Sequence, residues 1–548
     1  MTPDPYDPAP TFWEKHSAVI PPLVAGVLTT FLLAASFPPH HAAECAYTLL
    51  VPGILWAYRR PNFKLYAWTM FAAQAVGWAI NLYWLHPVTW AGPLLLGPFV
   101  GAWTGSWYLI AWWAMPRVVG KSTPVRLISM LGLSGAWVLI EWSRTWLLGG
   151  FPWMPLAATQ WERIGILQIA AFTGSYGVSF VIVAVNVAFS AYVNRLFNEG
   201  STGLGRRSQE FLLAMFMLLA CLCVLVQETT HRSLYTVPFA TVAFVQPKIP
   251  ASVKWDQAKA PEIMQTLHTL TLGVGDLNPD LILWPESTTP YPLKGGDPAM
   301  GRFVSSIAAR TGVPMLVGAD AIEHDASGKD SYYNAAFVVD PQLGVQSAYY
   351  AKRKLVQFGE YVPLRPLLGW IGKFVPVGDD DFSPGKDPSP LVVPMSKGAA
   401  AFGVLICYED LFPQLARDEV LSGADALVVV TNDAWYGEGQ AAYQHAASSV
   451  LRAIETRRPV LRCGNSGWSG WIDEFGNVRR WMHDADGSVY IRGTFTANVT
   501  RDQRWIGRDS FYVEHGDWFV LVSAALLAFS ISLLGVTGLK PLPVTPRE

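Results

Sequence analysis

Charge is scarce in this chain. Of its 548 residues 15% are Asp, Glu, Lys or Arg, against 51% hydrophobic residues, and the formal net charge is −2. Soluble domains carry roughly 25% charged residues, so the shortfall points to a protein that meets lipid. No basic block occurs, which removes the electrostatic footprint of a nucleic-acid-binding protein, and no nucleic-acid partner is expected. Cysteine is sparse too: Cys45, Cys221, Cys223, Cys407 and Cys463 form an odd set, and the first three lie in or beside apolar segments, against a disulfide framework. Cys221-Leu222-Cys223 lacks the spacing and the His or acid neighbours of a metal site, so neither metal nor cofactor is expected. No Ser-centred G-x-S-x-G elbow and no internal repeat stand out.

What the chain has in excess is apolar runs and tryptophan. Runs at 18–37, 42–58, 65–85, 92–115, 127–148, 166–192 and 211–226 are mostly near the ~20 residues of a spanning helix, the second being short. A last run covers 519–539. The first run has Ala34 and Ala35 where a signal peptide would be cleaved, but an acidic, Pro-rich lead favours an uncleaved span. Trp84, Trp90, Trp112, Trp113, Trp146 and Trp153 sit at run ends, where indoles settle at a membrane–water boundary.

Lys and Arg cluster in alternate loops: Arg59, Arg60 and Lys64, then Arg117, Lys121 and Arg126, then Arg195, Arg206 and Arg207. The loops around 86–91 and 149–165 carry almost none. Positive charge stays cytoplasmic, which predicts about eight spans, an inside N-terminus and an outside region before the last span. The division is a disordered segment over 1–17, a seven-helix membrane domain over 18–227, an α/β extracytoplasmic domain over 228–517, a C-terminal transmembrane helix over 518–540 and a cytoplasmic tail over 541–548. Glu141 and Arg144, three apart on the fifth run, fit either a private ion pair or a polar pathway. Gly149-Gly150-Phe151-Pro152-Trp153 reads as a non-helical turn after it.

In 228–517 short β-like runs (241–246, 281–284, 314–318, 335–339, 401–406, 424–431, 459–463 and 489–499) alternate with helical stretches at 261–272, 300–311 and 444–456. The run ending Val404-Leu405-Ile406-Cys407-Tyr408-Glu409-Asp410 breaks into a helical pattern over 411–421, which puts Cys407 at a strand–helix elbow. Two readings fit: a quiet buried cysteine, or a thiol whose thiolate is favoured by the helix start. Leu281-Ile282-Leu283-Trp284-Pro285-Glu286 places a carboxylate just past a strand, where α/β proteins gather ligands. Lys352 follows a third run, ahead of Phe358-Gly359-Glu360. A thiol nucleophile, a carboxylate base and a lysine for the oxyanion make a complete acyl-transfer set. His445 is a second candidate base, but its helical stretch suits a structural histidine.

Glu286 in Trp284-Pro285-Glu286-Ser287, Lys352 before Phe358-Gly359-Glu360, and Cys407 in Cys407-Tyr408-Glu409-Asp410 resemble, in that order, the Glu-Lys-Cys triad of the carbon–nitrogen hydrolase (nitrilase) superfamily. With the membrane runs, the whole chain resembles its membrane branch, the apolipoprotein N-acyltransferases. Val245 to Pro250 with Trp255, Asn432-Asp433-Ala434-Trp435-Tyr436-Gly437, Arg462 with Asn465-Ser466-Gly467, Glu141-Trp142 with Phe151-Pro152-Trp153, and Gly174 to Gly177 also look like that family. Gln357 stands where the family often has Pro, and Arg353 and Lys354 thicken the charge after Lys352. Lys354 is a rival for the catalytic lysine, but Lys352 has the family distance to Glu360.

The resemblance implies a nitrilase-like αββα sandwich beside a polytopic helical membrane domain. It implies an N-acyltransferase in a bacterial inner membrane, with the catalytic domain on the periplasmic side. The acyl donor would be a phospholipid, the carrier a Cys407 thioester, and the acceptor the α-amine of a diacylglyceryl-cysteine apolipoprotein. Glu286 would move the protons and Lys352 hold the oxyanion, with Trp255, Glu360, Tyr408, Glu409, Asn432 and Trp435 in support. A membrane-anchored nitrilase-type amidase is the alternative, and about eight spans where one would anchor count against it. A transporter would want broken helices in repeated halves. The apolar stretch 362–374 is read either as a flap reaching lipid or as a loop packed on its own domain.

Overall fold

The structure, a computed structural model, describes residues 19–198, 208–230, 232–254, 256–324, 328–370, 381–396 and 398–538. The expected disordered N-terminus and cytoplasmic tail therefore lie outside the described residues. Helices α1 (Ile20–Ser36), α2 (Val51–Tyr58), α3 (Phe63–Asn81), α4 (Ala91–Val118), α5 (Thr123–Ser143), α6 (Ser175–Asn198) and α7 (Gln209–Thr229) build the first half. Among the described residues, α4 to α7 and the last helix, Trp518–Thr537, are the five long and apolar enough to cross a membrane.

The other expected spans miss that length-and-composition measure for local reasons. The second expected span is a 3₁₀ turn, Ala43–Tyr47, followed by α2, whose eight residues reach only about 12 Å. Its irregular backbone is satisfied inside the bundle: Asn186 accepts from the Leu50 N–H at 2.9 Å and donates to the Ala46 carbonyl at 2.9 Å. The first, α1, has 17 residues, and α3 carries the buried amides Gln74 and Asn81. The sixth run breaks at Gly174, where φ is +66°, and α6 starts after it.

The second half has strands β1 (Thr236–Gln246), β2 (Leu281–Trp284), β3 (Met315–His324), β4 (Asp330–Asp340), β5 (Gly344–Ala351), β6 (Leu391–Met395), β7 (Gly398–Ile406), β8 (Ala426–Thr431), β9 (Val460–Gly464), β10 (Gly470–Ile472), β11 (Val478–Trp481) and β12 (Gly493–Asp502). They form two six-stranded sheets, ordered β12-β1-β2-β3-β4-β5 and β11-β10-β9-β8-β7-β6. The centre of each is parallel, with Phe244 opposite Leu283 in the first and Ile406 opposite Val430 in the second. Strands buried on both faces read as unbroken apolar runs, which is why β2 and β8 are legible in sequence.

The sheets stack through Val242, Phe244, Leu283, Val404, Val428 and Leu461. Helices α8 (Ala260–Gly275) and α9 (Pro298–Thr311) cover the first sheet through Ile263, Leu267, Val304 and Ile307. Helices α10 (Pro413–Leu421) and α11 (Gln440–Thr456) cover the second, giving the αββα sandwich that the resemblance implies. The chain closes with α12 (Trp518–Thr537), packed along α5, where Gly132 and Gly135 let the backbones approach.

Helix α11 also seats the sandwich on the membrane half. Gln444 is fully buried and accepts from the indole N–H groups of Trp84 (2.9 Å) and Trp153 (2.8 Å). Its amide donates to the carbonyls of Pro38 and Asn81, both at 3.1 Å. Trp84 and Trp153 are thus not boundary residues: they are buried against each other, with ring centroids 4.6 Å apart, in this joint. Trp90 and Trp146 do remain exposed. Gln444→Leu would strand two buried donors and two carbonyls, each a loss of about 1–3 kcal/mol. The expected result is a lower thermal midpoint in detergent; an unchanged midpoint would show that the joint does not depend on this amide.

Candidate active site

The parallel strands of both sheets end on one edge. Glu286 lies two residues beyond β2, Cys407 directly follows β7, Asn432 follows β8 and Asn465 follows β9. Lys352 follows β5, whose last residues pair with β4 at Ala335 and Ala336. The two sheets thereby bring together residues 66 apart (Glu286 and Lys352) and 55 apart (Lys352 and Cys407), taken from Glu286, Lys352 and Cys407 in the chain.

Lys352 is 1% exposed, and its ammonium sits 2.8 Å from Glu360 Oε1 and 3.4 Å from Glu286 Oε1. The Asn334 amide on β4 donates to the same two oxygens, at 2.8 Å to Glu286 and 3.0 Å to Glu360. The other Glu360 oxygen accepts from the Val356 N–H at 2.8 Å. Burial opposes the lysine's charge, but Glu360 and Glu286 outweigh it and hold its pKa well above the ordinary range. It is an ammonium at any physiological pH.

Glu286 needs room to reach this group, and Gly318 on β3 supplies it. A Cβ at 318 would lie 2.2 Å from the Pro285 carbonyl oxygen and 2.8 Å from the Glu286 Cα. Gly318→Ala must therefore displace the Pro285-Glu286 backbone. A displacement near 1 Å can cost about 10²-fold in a positioned reaction. The expected outcome is acyl-enzyme formation slowed at least about tenfold, read by intact mass against time; a wild-type rate would mean that the Glu286 position is not limiting.

Cys407 opens a five-residue 3₁₀ turn, Cys407–Leu411, with φ at +51°. Residues with side chains rarely adopt this conformation, so the elbow is strained where the thiol is presented. Of the two readings of this cysteine, the surroundings do not favour a resting thiolate. Burial first, then the Glu286 charge, push the thiol's pKa well above its ordinary value, while Lys352 pulls the other way. A single 3₁₀ turn carries too little dipole to compete. The thiol rests protonated and needs a base.

Glu409 and Tyr408 hold the elbow from two sides. Glu409 is fully buried and accepts from the N–H groups of Ile406 (2.7 Å), Arg353 (2.6 Å) and Lys354 (3.0 Å) and from the Tyr350 hydroxyl (2.9 Å). It thus ties the segment after Lys352 to the segment before Cys407. Burial still sets its carboxyl above the usual range, against those N–H groups and Lys352. Tyr408 donates to the Gly150 carbonyl at 2.9 Å and packs on Phe412, which binds the elbow to the membrane half. Gly150 has φ +85°, and a Cβ there would meet the Thr145 carbonyl at 2.4 Å.

Asn432 accepts from the Ala434 N–H (3.2 Å) and from the Asn465 amide (2.9 Å), so it shapes its own loop rather than joining the Lys352 group. Trp435 is half-buried on the 3₁₀ turn Asp433–Tyr436. Trp255 lies outside the described residues. Lys354 points elsewhere, over the Phe412 ring at 4.9 Å. Glu141 and Arg144 do not pair with each other. Glu141 accepts from the Trp137 indole (2.7 Å) and the Leu156 N–H (2.6 Å), and Arg144 donates to the carbonyls of Phe151 (3.3 Å) and Trp153 (2.5 Å). Together they shape the 151–156 loop beneath the elbow.

Sequence reasoning missed Asn334 and Gly318. A polar residue inside the apolar end of β4 was the available signal for Asn334; Gly318 had none. Two sheets converge on a buried Lys, two carboxylates and a strained cysteine, and residues 241–510 match the carbon–nitrogen hydrolase family. Residues 29–188 match the apolipoprotein N-acyltransferase N-terminal domain. The chain is 31% identical over 519 residues to the apolipoprotein N-acyltransferase of Geobacter metallireducens, covering 92% of this chain and 94% of that one. It is 31% identical over 487 residues to the one from Brucella melitensis, covering 85% and 86%. An amidase from Nesterenkonia sp. of known structure aligns with 48% of this chain and 92% of that chain, at 17% identity and a TM-score of 0.36. The chain belongs to the apolipoprotein N-acyltransferase family.

Proposed function

We propose that this protein moves an acyl chain from a phospholipid, through a thioester on Cys407, to the N-terminal α-amine of a diacylglyceryl-cysteine apolipoprotein. The observation that carries the reading is the buried Lys352 ammonium held by Glu286 and Glu360 on the strand edge that presents Cys407. Glu286 takes the thiol proton as Sγ attacks the ester carbonyl. The negative charge passes to the carbonyl oxygen, where Lys352 stabilises it. Collapse of the tetrahedral adduct breaks the ester bond, and the leaving lysophospholipid oxygen takes the proton back from Glu286. The acceptor amine then attacks the thioester, gives a proton to Glu286, and the sulfur leaves and is reprotonated. Glu360 and Asn334 hold Lys352 and Glu286 in register throughout.

Both substrates are lipids, which fits a site built on the membrane half, with Tyr408 bonded to Gly150. By the loop charges the sandwich lies on the periplasmic side of a bacterial inner membrane. The helix Arg365–Leu368, anchored by an Arg365–Asp381 ion pair, supports the flap reading: Leu364 and Leu367 are 69% and 73% exposed just after Glu360. Residues 371–374 of that stretch lie outside the described residues. The test is to incubate purified protein with phospholipid and a diacylated lipopeptide and to weigh both. Acylated peptide supports the transferase; release of free fatty acid alone would overturn it.

A further inference from the structure

His445 lies behind the elbow on α11, buried, with both ring nitrogens facing oxygen. Nδ1 is 3.0 Å from Asp433 Oδ1, and Nε2 is 3.1 Å from the Cys407 carbonyl oxygen, with Asp410 Oδ1 at 2.9 Å. A carbonyl can only accept, and so can the carboxylate at Nδ1, so both nitrogens carry protons and the ring is an imidazolium. Burial and the Arg462 charge pull its pKa down, but Asp410 and Asp433 outweigh them and raise it to about 9. Such a ring has no lone pair to take the Cys407 proton.

The surrounding charges come from several elements. Arg462 on β9 reaches Asp410 at 2.8 Å and Asp433 at 3.5 Å. Ser449 on α11 donates to Asp410 at 2.6 Å, and the Trp153 ring of the membrane half lies 5.4 Å from the imidazole. On the thiol side, Glu286 and Asp433 oppose ionisation of Cys407, while Lys352 favours it. Asp433 therefore touches both the ring and the thiol's electrostatics.

We propose that His445 is a positioning residue for acyl transfer: a fixed cation that clamps the Cys407 carbonyl in its left-handed elbow and cancels the Asp433 charge behind the thiol. The proposal rests on Cys407 as acyl carrier. Without the cation, Asp433 is offset less, by the Arg462 contact at 3.5 Å, and thiolate formation becomes harder.

The test is the rate of Cys407 alkylation by iodoacetamide at neutral pH, where His445 is charged, in the detergent-solubilised full chain, followed by the mass of the Cys407 peptide. His445→Gln keeps an N–H for the carbonyl but removes the charge. It is expected to slow both alkylation and acylation about tenfold. Adding Asp433→Asn should return the alkylation rate to within about twofold of wild type. Asp433→Asn alone, which serves if His445→Gln does not fold, should alkylate at or above the wild-type rate. An unchanged His445→Gln rate, a slowing that Asp433→Asn does not reverse, or a slowing in Asp433→Asn alone overturns the proposal. Alkylation needs no lipid, so a failure of Cys407 to carry acyl chains would appear separately, as a missing adduct with intact alkylation.

Discussion

Cys407→Ala is expected to carry no acyl group after incubation with phospholipid, whereas the unaltered chain gains the mass of one acyl chain. The other four cysteines offer no substitute. Cys463 is buried between the sheets, with Sγ 3.5 Å from the carbonyls of Val245 and Leu283, and burial pushes its thiol up to about 12. Cys45, Cys221 and Cys223 lie in the membrane half, away from Glu286 and Lys352. Removing the nucleophile of a coupled catalytic group typically removes nearly all of its contribution, so acyl transfer should fall to background. Intact mass decides it: an acyl adduct on Cys407→Ala would remove the cysteine from the chemistry. A thermal midpoint measured in parallel separates lost chemistry from lost fold.

Lys352→Met should be the next largest loss, and it should appear in two measurements. Methionine fills similar volume without the ammonium, so the tetrahedral oxyanion loses its cation. Loss of a single oxyanion donor costs about 10²–10³ in rate, and a charged one at a buried site belongs at or beyond the upper end. Single-turnover acylation followed by mass would read it; a fall of less than about tenfold would show that Lys352 is not the oxyanion group. The second measurement is stability. Glu286 and Glu360 would be left with Asn334 as their shared donor, and breaking a buried ion pair costs about 3–5 kcal/mol. In the unaltered chain the raised lysine pKa means that its stabilising charge is fully present below the ordinary lysine pKa and is lost only as pH rises through the higher folded value. In the variant the penalty comes from the two carboxylates. The variant's thermal midpoint should therefore fall below that of the unaltered chain.

The candidate site was legible where chemistry follows an apolar strand. β2 and β7 are continuous apolar runs, so Glu286 and Cys407 could be placed at strand ends from the sequence, and Lys352 came with its distance to Glu360. Less visible were the shortest strands: β6, β10 and β11 were not anticipated, because they are only three to five residues long. Glu409 is the clearest lesson. Adjacent to Cys407 in sequence, it looks like an acidic helix start, yet its four hydrogen bonds serve the Lys352 segment and the end of β7.

Hydrophobic periodicity, loop charge and three short motifs in order were enough to suggest from sequence an apolar helical part, an α/β part and a candidate thiol–lysine–carboxylate set. These are local signals, readable because each depends on neighbours in the chain. Tertiary structure decided what depends on distant partners. It made Cys407 a protonated thiol rather than a thiolate, since burial and a carboxylate more than a hundred residues away outweigh a five-residue turn. It turned Trp84 and Trp153 from boundary residues into a buried joint through Gln444. It also split Glu141 from Arg144, because each finds a better partner in the backbone of the loop below the elbow. Buried charges and amides bond to whatever the fold brings near, and no spacing in the sequence encodes that proximity.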